Sequence, residues 1–342
     1  MAFSYRNLGR NGRLGNQLWQ IAGTMGKAAS EGDVTQAFFP KWQYAPYFSI
    51  PVNHFPETIS TSAKDSGNDF LQDISLFSSC TDYVRDALRP SQTALETASV
   101  LLPSHGADGH RTAIHVRRGD YVRIGYWFPL CPVHYYTMAM DELSSEFPTT
   151  HFLVFSDDPE WCDIQFGEMT NVTVVSRSGS NAIEREMAEF TLMRSCDAFI
   201  ISNSTFSWWA AYLSESDTVI TPDRWYNEGL SHLDHSVFTP SHWRQRSIDP
   251  IGPYQPDYVV VTESPQGLIV TDRRNMAIHH LNAGASLIFE LCTGSNSDDQ
   301  ITGIAQKIFI EAGLDTQAID VQKSLDDLRG RGIVAGTTQL VV

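Results

Sequence analysis

Between residues 110 and 245 the chain alternates short apolar runs with helical patterns. The runs are Thr112–Val116, His151–Phe155, Thr173–Val175, Ala198–Ile201 and Thr218–Ile220. Strands spaced this way, with helices between them, predict a parallel α/β sheet. Nearer the start, Leu18, Ile21, Ala22, Met25 and Ala29 recur at helical spacing, so a helix should follow the turn Gly12–Gln17. An aromatic, proline-containing stretch, Phe38–Phe55, comes next. The pattern breaks at Asp249-Pro-Ile-Gly-Pro-Tyr-Gln-Pro256, where proline and glycine at this density mark a linker. Beyond it, Tyr258–His280 reads as β-rich. Helices are expected over Ala283–Leu291, after the N-cap Ser297 with Ile301, Ile304, Ala305 and Ile308 on one face, and around Val321, Leu325 and Leu328. The expected division is 1–108, 109–248, a linker at 249–257, and a tail domain at 258–342.

Charge narrows the partners. The 342-residue chain carries 40 acids against 24 Lys and Arg, a formal net charge of -16. A broad phosphate-binding face needs a basic surface, so nucleic acid is excluded as an expected partner. Any bound phosphate must be met by local cations. The five cysteines (Cys80, Cys131, Cys162, Cys196, Cys292) contain no C-x-x-C pair, so no zinc or redox motif is expected. Reduced thiols, no apolar leader in Met1–Arg6 and no apolar run of bilayer length give a cytoplasmic expectation. The sequons at Asn171 and Asn203 carry no weight in that compartment.

Four turns could together hold a diphosphate. In Gly12-Arg-Leu-Gly15-Asn16-Gln17, glycines before a helix let its free N–H groups approach an anion, though an ordinary tight turn has the same pattern. His115-Val-Arg117-Arg118-Gly119-Asp120 follows an apolar strand. Alternation points His115 and Arg117 one way and Arg118 the other. A strand's carboxyl end is where open α/β sheets bind ligands, and guanidinium binds phosphate bidentately. The plainer alternatives are an arginine pair bridged to Asp120 and a structural His115.

Phe155-Ser-Asp157-Asp158-Pro159 also ends a strand. Asp158 can cap a helix opened by Pro159, which leaves Asp157 to accept the two N–H donors of a guanine. Adjacent carboxylates on an extended segment diverge, so no metal site is expected. Ser202-Asn203-Ser204-Thr205 precedes the aromatic helix Phe206–Leu213. Its hydroxyls and amides could cradle an anion or simply cap the helix. Trp208 and Trp209 could stack on a sugar or fill the core.

In order and spacing, these four segments and Glu189-Phe-Thr-Leu-Met193 resemble the α-1,2-fucosyltransferases, glycosyltransferase family 11, over residues 5–240. The resemblance implies a GT-B-like fold of two Rossmann-like halves, with the donor held mainly by the second. It implies GDP-fucose as donor, a carbohydrate acceptor (by default a β-galactoside 2-hydroxyl), inversion at the anomeric carbon, and no cofactor or metal. By resemblance, Arg117 and Arg118 hold the donor phosphates and Asp157 falls at the guanine. Ser202–Thr205 with Gly15, Asn16 and Gln17 would complete the pocket, alongside His115 and Asp158. Asp120 is the candidate base.

The tail departs from that family. His280-Leu-Asn282, the helix Ala283–Leu291, Gly294 and the pattern from Asp299 through Leu328 to Val334 resemble a PqqD-like winged-helix α+β module. That likeness implies a peptide or protein partner added at a sheet edge, against the alternative of a packing appendage. Rival activities are transfer of another GDP-sugar, another fucose linkage, or a peptide-binding adaptor.

Overall fold

The computed structural model describes residues 1–67, 69–101, 109–175, 179, 181–256, 258–294, 296–313 and 320–336. The domain end expected at 108, the linker end at 257 and the last six residues lie outside these. The chain divides into two compact units, Met1–Cys131 with Ala139–Arg246, and Pro132–Met138 with Ser247–Val342.

The first unit opens with β1 (Phe3–Ser4), α1 (Leu14–Ser30), β2 (Ala37–Phe38) and β3 (Lys64–Asp65), then α2 (Thr81–Ala87) and α3 (Gln92–Ser99). β1 pairs in parallel with β2 and β3. These strands have two residues each, so hydrogen bonding rather than side-chain alternation defines them.

The main sheet follows as β4 (Arg111–Val116), α4 (Val133–Glu146), β5 (His151–Ser156), α5 (Pro159–Phe166), β6 (Val172–Val174), α6 (Ala182–Arg194), β7 (Ala198–Ile200), α7 (Thr205–Ser214), β8 (Val219–Pro222) and β9 (Arg244–Arg246). Its order is β6-β5-β4-β7-β8-β9, and every pairing is parallel. The central strands are covered on both faces: Ile114, Leu153, Val154, Phe199 and Ile200 have no exposed surface. Each such side chain contributes roughly 1.5–3 kcal/mol by leaving water, and continuous apolar runs are what a doubly covered parallel sheet demands.

The chain proceeds from β4 to β5 and β6 on one side. It then returns to β7, on the other side of β4, and continues to β8 and β9. The direction of winding reverses between β4 and β7, which opens a crevice beyond their carboxyl ends.

The second unit contains β10 (Val259–Ser264), β11 (Gly267–Asp272), β12 (Ala277–Asn282), α8 (Ala283–Leu291), α9 (Asp298–Glu311) and α10 (Val321–Gly330). The strands form an antiparallel sheet with β11 central and register Val261↔Val270↔His279. Val270, Ile288, Phe289, Ile301, Ala305, Leu325 and Ile333 fill its core. Ser297 and Gln300 form a reciprocal capping box at α9, satisfying two donors that a helix start leaves open. Among the described residues no helix is long and apolar enough to cross a membrane.

Candidate functional site

A cavity of about 720 Å³ lies within the first unit, at the crevice between β4 and β7. That volume suits a ligand of cofactor size. Its walls include Gly15, Asn16, His115, Arg117, Asp120, Asp157, Asn203, Ser204 and Thr205, four separate segments brought to one place. Gln17, Arg118, Asp158 and Ser202 do not line it.

The His115–Asp120 turn sorts its two arginines. Arg117 faces the cavity, its side chain 12% exposed, and donates to the carboxylates of Asp157 and Asp120. Its guanidinium also lies over the Tyr121 ring at 5.0 Å. Arg118 turns away, as alternation at a strand end requires. Its Nε donates to Asp158 at 3.1 Å, and the guanidinium stacks 4.1 Å from the Trp161 ring. The resemblance assigns both arginines to the donor phosphates, and in this structure only Arg117 lines the cavity. Asp158 caps α5 through the Trp161 N–H, so it too serves the scaffold.

Asp157 is occupied as well as exposed to the cavity. One oxygen accepts the backbone N–H groups of Arg118 (2.9 Å) and Gly119 (3.2 Å), and the other accepts from Arg117. A Cβ on Gly119 would collide with this carboxylate. The arrangement makes Asp157 the clamp that sets the direction of Arg117. Asp120 is looser: it is 49% exposed and pairs with both Arg117 and Arg13.

Two helix starts converge here. α1 begins at Leu14, so Gly15, Asn16 and Gln17 occupy its first turn rather than preceding it. A Cβ on Gly15 would lie 2.5 Å from the Thr205 carbonyl carbon. Glycine is therefore needed for α1 to approach the start of α7. Asn16 Oδ1 accepts from the Thr205 hydroxyl (3.1 Å) and from Gln72 Nε2 (3.0 Å), tying the two starts together. Gln17 is spent inward: it donates to the Gly12 carbonyl and accepts from Trp42 Nε1. Neither helix start has a side-chain cap, so first-turn N–H groups remain available to an anion.

Beneath the cavity, His115 Nδ1 and Ser202 Oγ are 2.8 Å apart, bridging β4 to the turn after β7. The Asn203 amide donates to the carbonyls of Pro129 and Trp225. Its buried side chain holds two loops in place and leaves only its remaining surface to the cavity. Trp208 and Trp209 are 1% and 0% exposed and pack with Trp19, Phe77 and Tyr212. Both belong to the core, and neither can stack on a ligand.

Glu189, 8% exposed, opens the stretch Glu189–Met193 that contributed to the family resemblance, and it projects from α6 beside Arg185 and Glu186, two lining residues that gave no sequence signal. The opposite wall is apolar: Tyr121, Ile124, Phe128, Trp225, Tyr226 and Leu230. Burial raises the Tyr121 and Tyr226 phenols, the latter to about 12, so both stay protonated at neutral pH. Among the described residues, the buried Trp225 indole N–H has no hydrogen-bond partner, and a buried unpaired donor calls for an explanation. Among the described residues no three His, Cys, Asp or Glu side chains converge to hold a metal.

The family described as Glycosyl transferase family 11 matches residues 27–244. The chain is 32% identical over 124 residues to the O-antigen biosynthesis glycosyltransferase WbnK of Escherichia coli, covering 35% of this chain and 40% of that protein. It is 37% identical over 131 residues to an alpha-1,2-colitosyltransferase of Escherichia coli, covering 36% and 43%. With galactoside alpha-(1,2)-fucosyltransferase 1 of Lagothrix lagotricha it shares 29% over 242 residues, covering 61% and 65%. The chain thus spans between 40% and 65% of the length of these relatives.

Proposed function

The chain belongs to glycosyltransferase family 11, and on that footing we propose that its cavity binds GDP-fucose and directs the fucosyl group onto the 2-hydroxyl of a galactoside, with inversion and without a metal. The observation that supports this most is Arg117, a clamped guanidinium at the switch point, beside the uncapped starts of α1 and α7. Departure of the nucleotide leaves new negative charge on the diphosphate. Fixed N–H donors and a preoriented guanidinium stabilise that charge at the moment it forms. Two parallel sheets in succession suit a GT-B-like organisation of the first unit.

Two site roles follow from the geometry. Glu189, a buried carboxylate of α6 in the cavity wall, is the proposed acceptor for the guanine N–H groups. Asp120 is the more exposed of the two carboxylates on Arg117, so an incoming diphosphate displaces it first. A freed Asp120 could then take the acceptor's proton while the hydroxyl oxygen bonds to the anomeric carbon and the bond to GDP breaks.

The test is incubation with GDP-fucose and lactose, with and without EDTA. Fucosylated lactose and equimolar GDP are expected in both. No GDP release with any acceptor, or strict dependence on added divalent metal, would reject this reading. The colitosyltransferase relative supports colitose as the second sugar to offer. For the second unit, the outer strands β10 and β12 support a proposed peptide-recognition role, to be checked by titrating an extended-peptide library.

A further inference from the structure

The loop after the Arg117 turn carries two large aromatics in water. Tyr126 is 59% exposed and Trp127 is 43% exposed. Phe128, which follows the pair, and Ile124, two residues before it, line the cavity. Exposed aromatics next to a ligand cavity are informative because burying them would release so much apolar surface.

The pair is held rigidly. The Trp127 N–H donates to the Ile124 carbonyl at 2.8 Å. The Asn227 and Gly229 N–H groups donate to the carbonyls of Trp127 and Tyr126, each at 2.9 Å, and Asn227 Nδ2 donates to the Gly125 carbonyl at 2.6 Å. The two rings meet edge to face, 5.1 Å apart. Both press on Gly229, where an added Cβ would lie 2.6 Å from Tyr126 and 2.7 Å from Trp127. A tip held by three interloop hydrogen bonds and a glycine contact keeps its rings fixed while they remain in solvent. Fixed rings lose little entropy on binding.

From these observations we infer that Tyr126 and Trp127 form a platform for the acceptor sugar, a galactoside, at the outer end of the cavity's apolar wall. This rests on the reading of the cavity as a glycosyl-transfer site. The two ends of the site have different chemistry. Arg117 and the helix starts suit an anion. The wall of Ile124, Phe128, Tyr226 and Leu230 has no charge, and the exposed pair sits between Ile124 and Phe128 in the chain and against Gly229, which precedes Leu230. Galactose has an axial 4-hydroxyl, which leaves the hydrogens on C3, C4 and C5 contiguous on the other face. Such a polarised C–H patch packs on the negative face of an aromatic ring. A hydroxyl entering along the same wall would also supply the acceptor that the Trp225 N–H lacks.

The experiment measures lactose binding by saturation-transfer NMR on the full chain, with GDP binding measured in parallel. Trp127→Ala and Tyr126→Ala should each weaken lactose about tenfold, the scale of one lost aromatic contact. GDP affinity should stay within about twofold, and Trp127→Phe should retain most lactose binding. In turnover, the acceptor KM should rise while the donor KM holds. Wild-type protein that ignores lactose, variants that bind it normally, or parallel losses of lactose and GDP would each overturn the platform. Absence of GDP binding in the wild type, with lactose binding still lost in Trp127→Ala, would instead remove the donor assignment and leave the platform standing.

Discussion

The two units treat buried charge in opposite ways. In the first, Arg117, Asp157 and Asp120 pair with one another and still present surface to a cavity. In the second, charges close on one another. Asp298 takes both guanidinium nitrogens of Arg329, at 2.9 and 2.6 Å, with side chains only 12% and 15% exposed. Asp272 binds Arg274, whose guanidinium lies 3.6 Å from the Tyr258 ring. Buried charge alone therefore does not mark a site. A site needs charge that is held from behind and open in front, as Asp157 holds Arg117.

Removing a charge from each unit should separate these roles. The largest effect is expected for Arg117→Ala, which should cut the transfer rate by about 10²–10³, the loss from deleting one preorganised donor. Rates near wild type in a folded variant would make Arg117 a scaffold residue. Asp298→Ala should leave GDP affinity unchanged while lowering stability by about 2–3 kcal/mol in urea titration, because Arg329 loses its bidentate partner and keeps only the longer contact to Asp326 at 3.4 Å and the Gly336 carbonyl. A loss of GDP affinity there would break the comparison from the other side.

Arg118→Ala is the sharper contrast within one turn. Its partners are Asp158 and Trp161, so it should cost about 1 kcal/mol of stability and change transfer less than about tenfold, well short of the loss at a phosphate-binding donor. Equal losses at 117 and 118 would contradict the sorting of their side chains.

The smallest effect concerns acid. His54, in the first unit, has Nδ1 2.6 Å from the Ala37 carbonyl and Nε2 2.7 Å from the Tyr83 hydroxyl. His134 lies in the second unit's share of α4, 3.1 Å from the Asp249 carbonyl. Burial lowers both histidines below the ordinary value. The unfolded chain therefore binds protons first as pH falls. The stability from the neutral rings is whole above the unfolded value near 6.5 and declines below it, until the folded value is passed. Melts from pH 7.5 to 5 should show this decline, and His54→Gln and His134→Gln should each remove the part belonging to its own unit.

Much of this architecture is legible in the chain, for identifiable reasons. The five expected strands of the main sheet appear as β4 to β8 because buried parallel strands must be continuously apolar. β9 escaped notice because Arg-Gln-Arg has no apolar content. It joins the sheet by backbone pairing, while Arg244 and Arg246 reach Glu142 on α4. The strands β1 to β3 are too short for any period. Alternation alone predicts that Arg118 turns from Arg117, whereas the family resemblance assigns both to the donor phosphates. Glu189 stood out as the start of the Glu189–Met193 stretch but not as a cavity residue, because its face on α6 is decided by packing with distant elements. Gly15 was legible as glycine, but its reason, the backbone of Thr205, lies 190 residues further along the chain.

The central claim is that Arg117 and the starts of α1 and α7 receive a nucleotide diphosphate. A crystal structure with GDP bound tests it most directly. The account predicts phosphate oxygens on the Arg117 guanidinium and the Thr205 and Phe206 amides, with Asp120 displaced and Asp157 still clamped. GDP bound elsewhere, or in the cavity with Arg117 still closed on both aspartates, would contradict it.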